Sequence, residues 1–317
     1  MIKNSRNGAF ALKKVVSVSL GSSTRDHKVQ VELLGEQFEI SRLGTDGDLE
    51  KAINVLKSLD GKVDAIGLGG IDIYLYAGKK RYAIKDALKL VRAVKETPVV
   101  DGSGLKNTLE RQTIAYLKEN TDLLPDGAPV LMVSGVDRFG MAEALVEAGC
   151  NVTFGDLIFA LGIPCPIRSL SSLVILARIL LPIIVRMPFK MLYPTGTKQE
   201  GANEDKVKKY SSYYQNARVI AGDFHFIRRY LPALTGQVII TNTTTPKDVE
   251  FLTQKGAGYL ITSTPEFEGR SFGTNVIEGV LVSILKKPWD QIKPDEYTKL
   301  LEELHFTPRF NKLQQGA

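Results

Sequence analysis

Short apolar runs alternate with amphipathic stretches along most of this chain. Val15–Leu20 predicts a strand ending in Gly-Ser-Ser, and Gln37–Ser41 a second strand. Asp48–Leu59 carries Leu49, Ile53, Leu56 and Leu59 on one stripe and predicts a helix. Val63–Leu68 reads as a buried strand ending in two glycines. Ile73–Tyr76 and Arg81–Ile84 flank Ala77-Gly78-Lys79-Lys80 as a hairpin. Lys85–Lys95 predicts a helix, Pro98–Val100 a short strand, and Asn107–Leu117 a helix that crosses to the second domain.

The stretch from Ala128 to Asp156 predicts strand, glycine turn, helix, strand and then an acid. Pro129–Ser134 is too short and apolar for a helix, Met141–Ala148 is a strong helix former closed by Gly149, and Asn151–Phe154 is the next strand. Further strands are expected at Arg218–Ala221, Gln237–Thr241 and Tyr259–Ser263, with helices at Phe224–Leu234, Lys247–Gln254 and Thr274–Leu285. Strands alternating with helices imply largely parallel sheets. The expected fold is α/β, an N-terminal α/β domain over 1–120 followed by a Rossmann-like parallel-sheet domain over 121–317. An apolar insertion occupies 157–199 of the second. The tail at 311–317 is expected to fray.

Composition narrows the picture. At 317 residues, two domains are the natural expectation. The formal charge of +6 is spread among alternating acids and bases, with no aromatic-interleaved basic patch, so nucleic acid is not expected as a partner. The excess collects between Leu157 and Gln199, where there is no Asp or Glu. Cys150 and Cys165 have no metal-ligand spacing and form no disulfide framework, and no metal site is expected. With a polar start, MIKNSRNG, the expectation is a cytoplasmic protein.

The candidate chemistry centres on Gly135-Val136-Asp137-Arg138-Phe139-Gly140, followed at Asp156 by an acid near the spacing that binds an adenosine ribose. It proposes a dinucleotide, NAD rather than NADP because Asp156 would repel a 2′-phosphate. Gly135, Asp137, Arg138, Phe139, Gly140 and Asp156 are the expected cofactor residues. Asp137 stands where the usual pattern has its middle glycine. In open parallel sheets ligands sit at the carboxyl ends of strands, which adds Asn242 and Thr243 to the cofactor set. His225 beside Asp223, and Asp101 with Lys106, are the candidates for proton transfer. Asn107, Arg228 and Arg270 are candidates to hold a small polar, anionic substrate.

The apolar segment Leu157–Tyr193 is interrupted by Arg168, Arg178, Pro182, Arg186 and Pro188, which argues against a transmembrane helix. It reads as a crossover helix on the sheet, as a homodimer interface, or as a segment lying on a membrane surface.

The order of parts resembles the shikimate/quinate dehydrogenase group: an α/β substrate domain, a dinucleotide domain and a closing helix. The phrases YPTGTKQE, GDFHFIRRYLP, TNTTTP and EGRSFGTN are similar to those of a bacterial family carrying the loose name quinate 5-dehydrogenase. The resemblance implies an NAD(P)-dependent oxidoreductase acting on a hydroxy or keto substrate. Departures accompany it. Asn107-Thr108 echoes the group's Asn-Thr-Asp motif, with Leu109 in place of the acid. Asn151-Val152-Thr153 copies its Asn-Val-Thr letters on the wrong element. These leave open a ligand-binding protein of the same fold without redox activity, or a peripheral membrane protein.

Overall fold

The computed structural model describes residues 12–78, 80–188, 204–264, 266–267, 270–271, 273–287, 291–304 and 306–313. It is a mixed α/β structure built on two main sheets.

The first sheet begins with β1 (Lys13–Ser19), β2 (His27–Leu33) and β3 (Glu36–Gly44). There follow α1 (Leu49–Leu59), β4 (Ala65–Gly69), the hairpin β5 (Tyr74–Ala77) and β6 (Lys80–Ala83), α2 (Lys85–Val91) and β7 (Val99–Val100). The strand order is β2-β3-β1-β4-β7, parallel apart from the edge strand β2. β2 is not anticipated by the apolar runs. Its two-residue turn, Leu34-Gly35, takes φ of 51° and 74°, the double left-handed geometry that twists a tight hairpin correctly. Asp48 caps α1, accepting from the Lys51 amide at 2.9 Å.

The connecting helix α3 (Ser103–Asn120) starts four residues earlier than the apolar pattern predicts. It leads to β8 (Pro129–Met132), α4 (Phe139–Glu147), β9 (Asn151–Phe154), α5 (Asp156–Leu161), α6 (Leu170–Ile184), α7 (Glu204–Gln215) and β10 (Val219–Ala221). Then come α8 (Phe224–Arg229), β11 (Val238–Thr241), α9 (Pro246–Lys255), β12 (Tyr259–Thr262), the small ribbon β13 (Glu266–Phe267) and β14 (Arg270–Ser271), α10 (Thr274–Leu285), α11 (Pro294–Glu303) and β15 (Arg309–Lys312). The second sheet runs β15-β12-β11-β10-β8-β9, parallel except for β15. This is the doubly wound order with a switch point between β8 and β10. Beyond β9, where a six-stranded dinucleotide sheet adds another strand, the chain enters the apolar insertion.

The division expected at residue 120 does not separate the cores. Val276, Ile277, Val280 and Leu281 of α10, with Tyr297, Leu300 and Leu301 of α11, pack on Val15, Phe38, Ile40 and Ala65 of the first sheet. The opposite face of that sheet is covered by α1, α2 and the inner stripe of α6, Ala177 and Leu181. Leu173 of α6 belongs to the second core, beside Phe154 and Ile167. Each buried leucine of α6 contributes roughly 1.5–3 kcal/mol, so α6 staples the two sheets together. Pro182 lies inside α6, and the helix continues through it.

Candidate functional site

The carboxyl ends of the two sheets meet at the start of α3. Lys106 lies one turn into α3, just after β7, and Asp137 lies on the glycine loop after β8. Their Nζ and Oδ1 atoms are 2.9 Å apart. Burial opposes the Lys106 charge, but Asp137, helped by Asp72 after β4 and by Glu110, overrides it and raises the lysine above its ordinary pKa. The pair spans the two sheets, so the residue that breaks the glycine pattern is half of an inter-sheet ion pair.

Arg138 is buried behind it. It donates to Glu110 Oε1 at 2.5 Å and to Asp223 Oδ2 at 2.9 Å, and its Nε lies 3.6 Å from Asp137 Oδ2. Burial pushes the Glu110 carboxyl up, against the pull of Arg138. Burial also disfavours charge on Asp223, but Arg138 and His225 outweigh it and hold that carboxyl below its ordinary value. Asp223 caps α8 by accepting from the His225 amide at 2.9 Å, and its own amide donates to Ser134 Oγ at 3.0 Å. The His225 side chain is exposed at the rim.

The glycine loop is satisfied from within. Asp156 accepts from the amides of Gly135 and Val136 at 3.1 and 2.8 Å. Burial is the main reason its carboxyl rises to about 6. A Cβ on Gly135 would stand 2.9 Å from Leu173 of α6, so the insertion lies directly over the loop. Gly140 fits because α3 and α4 touch there: a Cβ would stand 3.0 Å from Asn107 Cα. Phe139 is buried.

In this arrangement the polar groups of the glycine loop are occupied from within the chain. The apolar side chain of Leu173 covers the first glycine. Both cations of the loop, Lys106 and Arg138, are already paired with carboxylates. A phosphate charge about 4 Å from Asp137 or Asp156 would cost roughly 4 kcal/mol at a surface-like dielectric. Of the expected cofactor residues, Asp137, Arg138 and Asp156 bind groups of the chain, the Gly135 amide donates to Asp156, Gly140 abuts Asn107, and Phe139 is buried.

Asp101, expected as a proton-transfer residue, accepts from the amides of Ile73 (2.5 Å), Tyr74 (3.3 Å) and Ser103 (2.9 Å). It ties the β5–β6 hairpin to the start of α3. Next to it is Glu278 of α10, which accepts from the amides of Gly102 (2.7 Å) and Leu105 (3.2 Å) and from the Tyr297 hydroxyl (2.9 Å). Burial, then the neighbouring Asp101, push its carboxyl up to about 8. Glu278 is absent from the sequence-based candidates. Its signal is a single acid in an otherwise apolar helix, TNVIEGVLVSIL.

The ends of β11 and β12 form a hydroxyl-rich shelf. Thr243 and Thr264 hydroxyls are 3.0 Å apart, and Thr264 donates to the Asn242 carbonyl at 2.6 Å. Thr241 donates to Asn242 Oδ1 at 3.1 Å. Thr262 Oγ1 and Ser263 Oγ, each 1% exposed, have no hydrogen-bond partner among the described residues. Arg228 is turned to Asp248 at 3.2 Å and stacks over Phe251. Asn107 Oδ1 accepts from Arg111 Nε at 3.3 Å. Arg270 pairs with Phe267 through the β13–β14 backbone, and its side chain lies outside the described residues. The phrase YPTGTKQE also lies outside them. A separate open cavity of about 650 Å³, lined by Asp64, Glu96, Thr97, Ser283 and Lys286 among others, sits at the amino ends of β4 and β7 and contains no predicted site residue.

Residues 104–313 match the family model described as domain of unknown function (DUF8754), and the chain belongs to that family. Residues 14–101 match a second, domain of unknown function (DUF8753). No curated protein sequence matches the chain. Among solved structures, similarity extends to a periplasmic ribose ABC transporter protein from Conexibacter woesei (10% identity, 93% of this chain and 96% of that one, TM-score 0.38). It extends also to a hetero-hexameric glutamate dehydrogenase from Thermus thermophilus (13%, 92% and 73%, TM-score 0.41). A third is a malic enzyme described as a malate oxidoreductase (13%, 92% and 84%, TM-score 0.33). Dehydrogenases and sugar-binding proteins thus both stand among these structures.

Proposed function

We propose that this chain binds a small, neutral, hydroxylated ligand at the facing carboxyl ends of its two sheets. The observation that carries this reading is the hydroxyl-rich shelf at the ends of β11 and β12, where Thr262 Oγ1 and Ser263 Oγ are buried with no partner among the described residues. A buried polar group without a partner costs about 1–3 kcal/mol, and a hydroxyl of a bound molecule removes that cost. Neutrality follows from the charges. Lys106, Arg138 and Arg228 are each engaged by a carboxylate of the chain. Lys106 and Asp137 form the polar centre. The ammonium donates, the carboxylate accepts, and together they can hold or move a proton at a ligand hydroxyl.

Calorimetry with a panel of cyclic polyols and sugars, each beside its carboxylate counterpart, tests this. At least one neutral compound is expected to bind, and Thr262→Val with Ser263→Ala is expected to weaken it about tenfold, or 1.4 kcal/mol. Tighter binding of the carboxylates, or no change in the double variant, overturns the assignment.

A second reading is an NAD(P)-dependent oxidoreductase of the shikimate/quinate dehydrogenase kind. It is favoured by the spacing of Asp156, which follows Gly135 by 21 residues and stands just past β9, where the ribose-binding acid of a dinucleotide fold belongs. An acid there selects NAD over NADP. This reading requires α6 to lift from Gly135 first.

A further inference from the structure

We propose that the outer face of α6, with the turn before it, docks on the surface of an anionic lipid bilayer. α6 has two sides of different character. Leu173, Ala177 and Leu181 face the cores, whereas Ile175, Ile179 and Ile183 are 59, 63 and 65% exposed. They recur at four-residue spacing and so form one ridge along the helix. Leu161, the last residue of α5, and Ile163 are half exposed as well. Isolated exposed apolar residues are ordinary, but a contiguous ridge of isoleucines marks an interaction surface.

The charges beside the ridge identify what it meets. Arg168, Arg178 and Arg186 are exposed, and none forms an ion pair with a described residue. No acid occurs between Leu157 and Gln199. An apolar ridge whose own segment carries arginines and no acid matches a membrane interface, where isoleucines enter the headgroup boundary and arginines meet lipid phosphates. A second copy of the chain matches poorly. A two-fold axis through the helix centre near Ala177 would place Arg168 against Arg186 and Arg178 against its own copy, with no acid in the segment to offset them. At 15 residues α6 is about 22 Å long, too short to span a bilayer. No helix among the described residues is long and apolar enough to cross a membrane, so α6 lies along the surface.

Co-sedimentation of the full chain with vesicles tests the proposal. Vesicles with roughly one-third phosphatidylglycerol are expected to pellet the protein, and pure phosphatidylcholine vesicles are not. Raising salt tenfold should release it, because screening shortens the reach of the arginines. Arg178→Glu with Arg186→Glu should lower the partition coefficient about tenfold or more. Ile175→Gln with Ile179→Gln and Ile183→Gln should abolish binding while leaving the thermal transition in place, since these side chains face outward. Equal binding to neutral vesicles, or no binding to either, overturns the proposal. So does a dimer by light scattering that the isoleucine variant converts to monomer.

Discussion

Replacing Arg138 with methionine is expected to lower the unfolding free energy by about 3–5 kcal/mol, the loss seen when one partner leaves a buried ion pair. Methionine keeps the apolar stem, so the loss comes from the charge and its hydrogen bonds. Glu110, 1% exposed, would retain among the described residues only the Met141 amide at 3.3 Å, and Asp223 would lose its guanidinium. Arg111→Met provides the contrast. Its ion pairs to Glu143 and Glu147 are about one-third exposed on the arginine side, and such pairs contribute about 0–1 kcal/mol. Urea unfolding of both variants reads the difference directly. If Arg138→Met unfolds within about 1 kcal/mol of the wild type, the arginine is not a structural centre and is available for a phosphate.

Stability is expected to fall as pH rises from about 4.5 to about 8. The group responsible is Glu278, whose folded carboxyl is raised from the ordinary 4.5 to about 8. A raised acid keeps its proton in the folded state after the unfolded chain has lost it. Its contribution is therefore complete below pH 4.5 and lost as pH climbs through 8, at up to about 1.4 kcal/mol per pH unit. Asp156 adds the same sign over a narrower window, from 3.8 to about 6. Asp60 works in the opposite sense at lower pH. The backbone amides of Thr97, Lys95 and Glu96 hold it at about 2, so what it contributes is lost as pH falls below 3.8. Thermal denaturation at closely spaced pH values, for wild type and Glu278→Gln, measures the effect. The variant should lose the slope between pH 6 and 8, where Asp156 no longer titrates, whatever its absolute stability. An unchanged slope in that interval means that Glu278 stays ionised, held by the Gly102 and Leu105 amides and the Tyr297 hydroxyl.

The elements that the sequence reveals are those with local signals. Asn151–Phe154 and Thr274–Leu285 appear with the predicted bounds, because a glycine or cap sits at their edges and their apolar content is dense. Edge strands escape. β2 places Val29 and Val31 among polar residues, and β15 is only Arg-Phe-Asn-Lys. An edge strand needs few apolar residues, because part of its surface faces water. The helix α7 is largely polar apart from its tyrosines, and α11 confines its apolar face to Tyr297, Leu300 and Leu301 within ten residues.

The site is legible in parts and not in its connections. Asp137 stands out as a departure from the glycine pattern, but nothing in local spacing shows that Lys106, 31 residues earlier, is its partner. The return of α10 to the first sheet, which brings Glu278 to Gly102 across 176 residues, is set by packing between distant segments. Likewise the apolar insertion is visible in composition, whereas its placement over Gly135 is a tertiary fact.

The glycine loop is closed by the chain itself. Isothermal calorimetry with NADH on the wild type and on Asp156→Ala tests it most directly. The internal partners of the loop lead us to expect no saturable binding at any concentration up to about 1 mM, a free energy near −4 kcal/mol. Micromolar NADH binding by the wild type, lost in Asp156→Ala, would contradict it and establish the dinucleotide reading in its place.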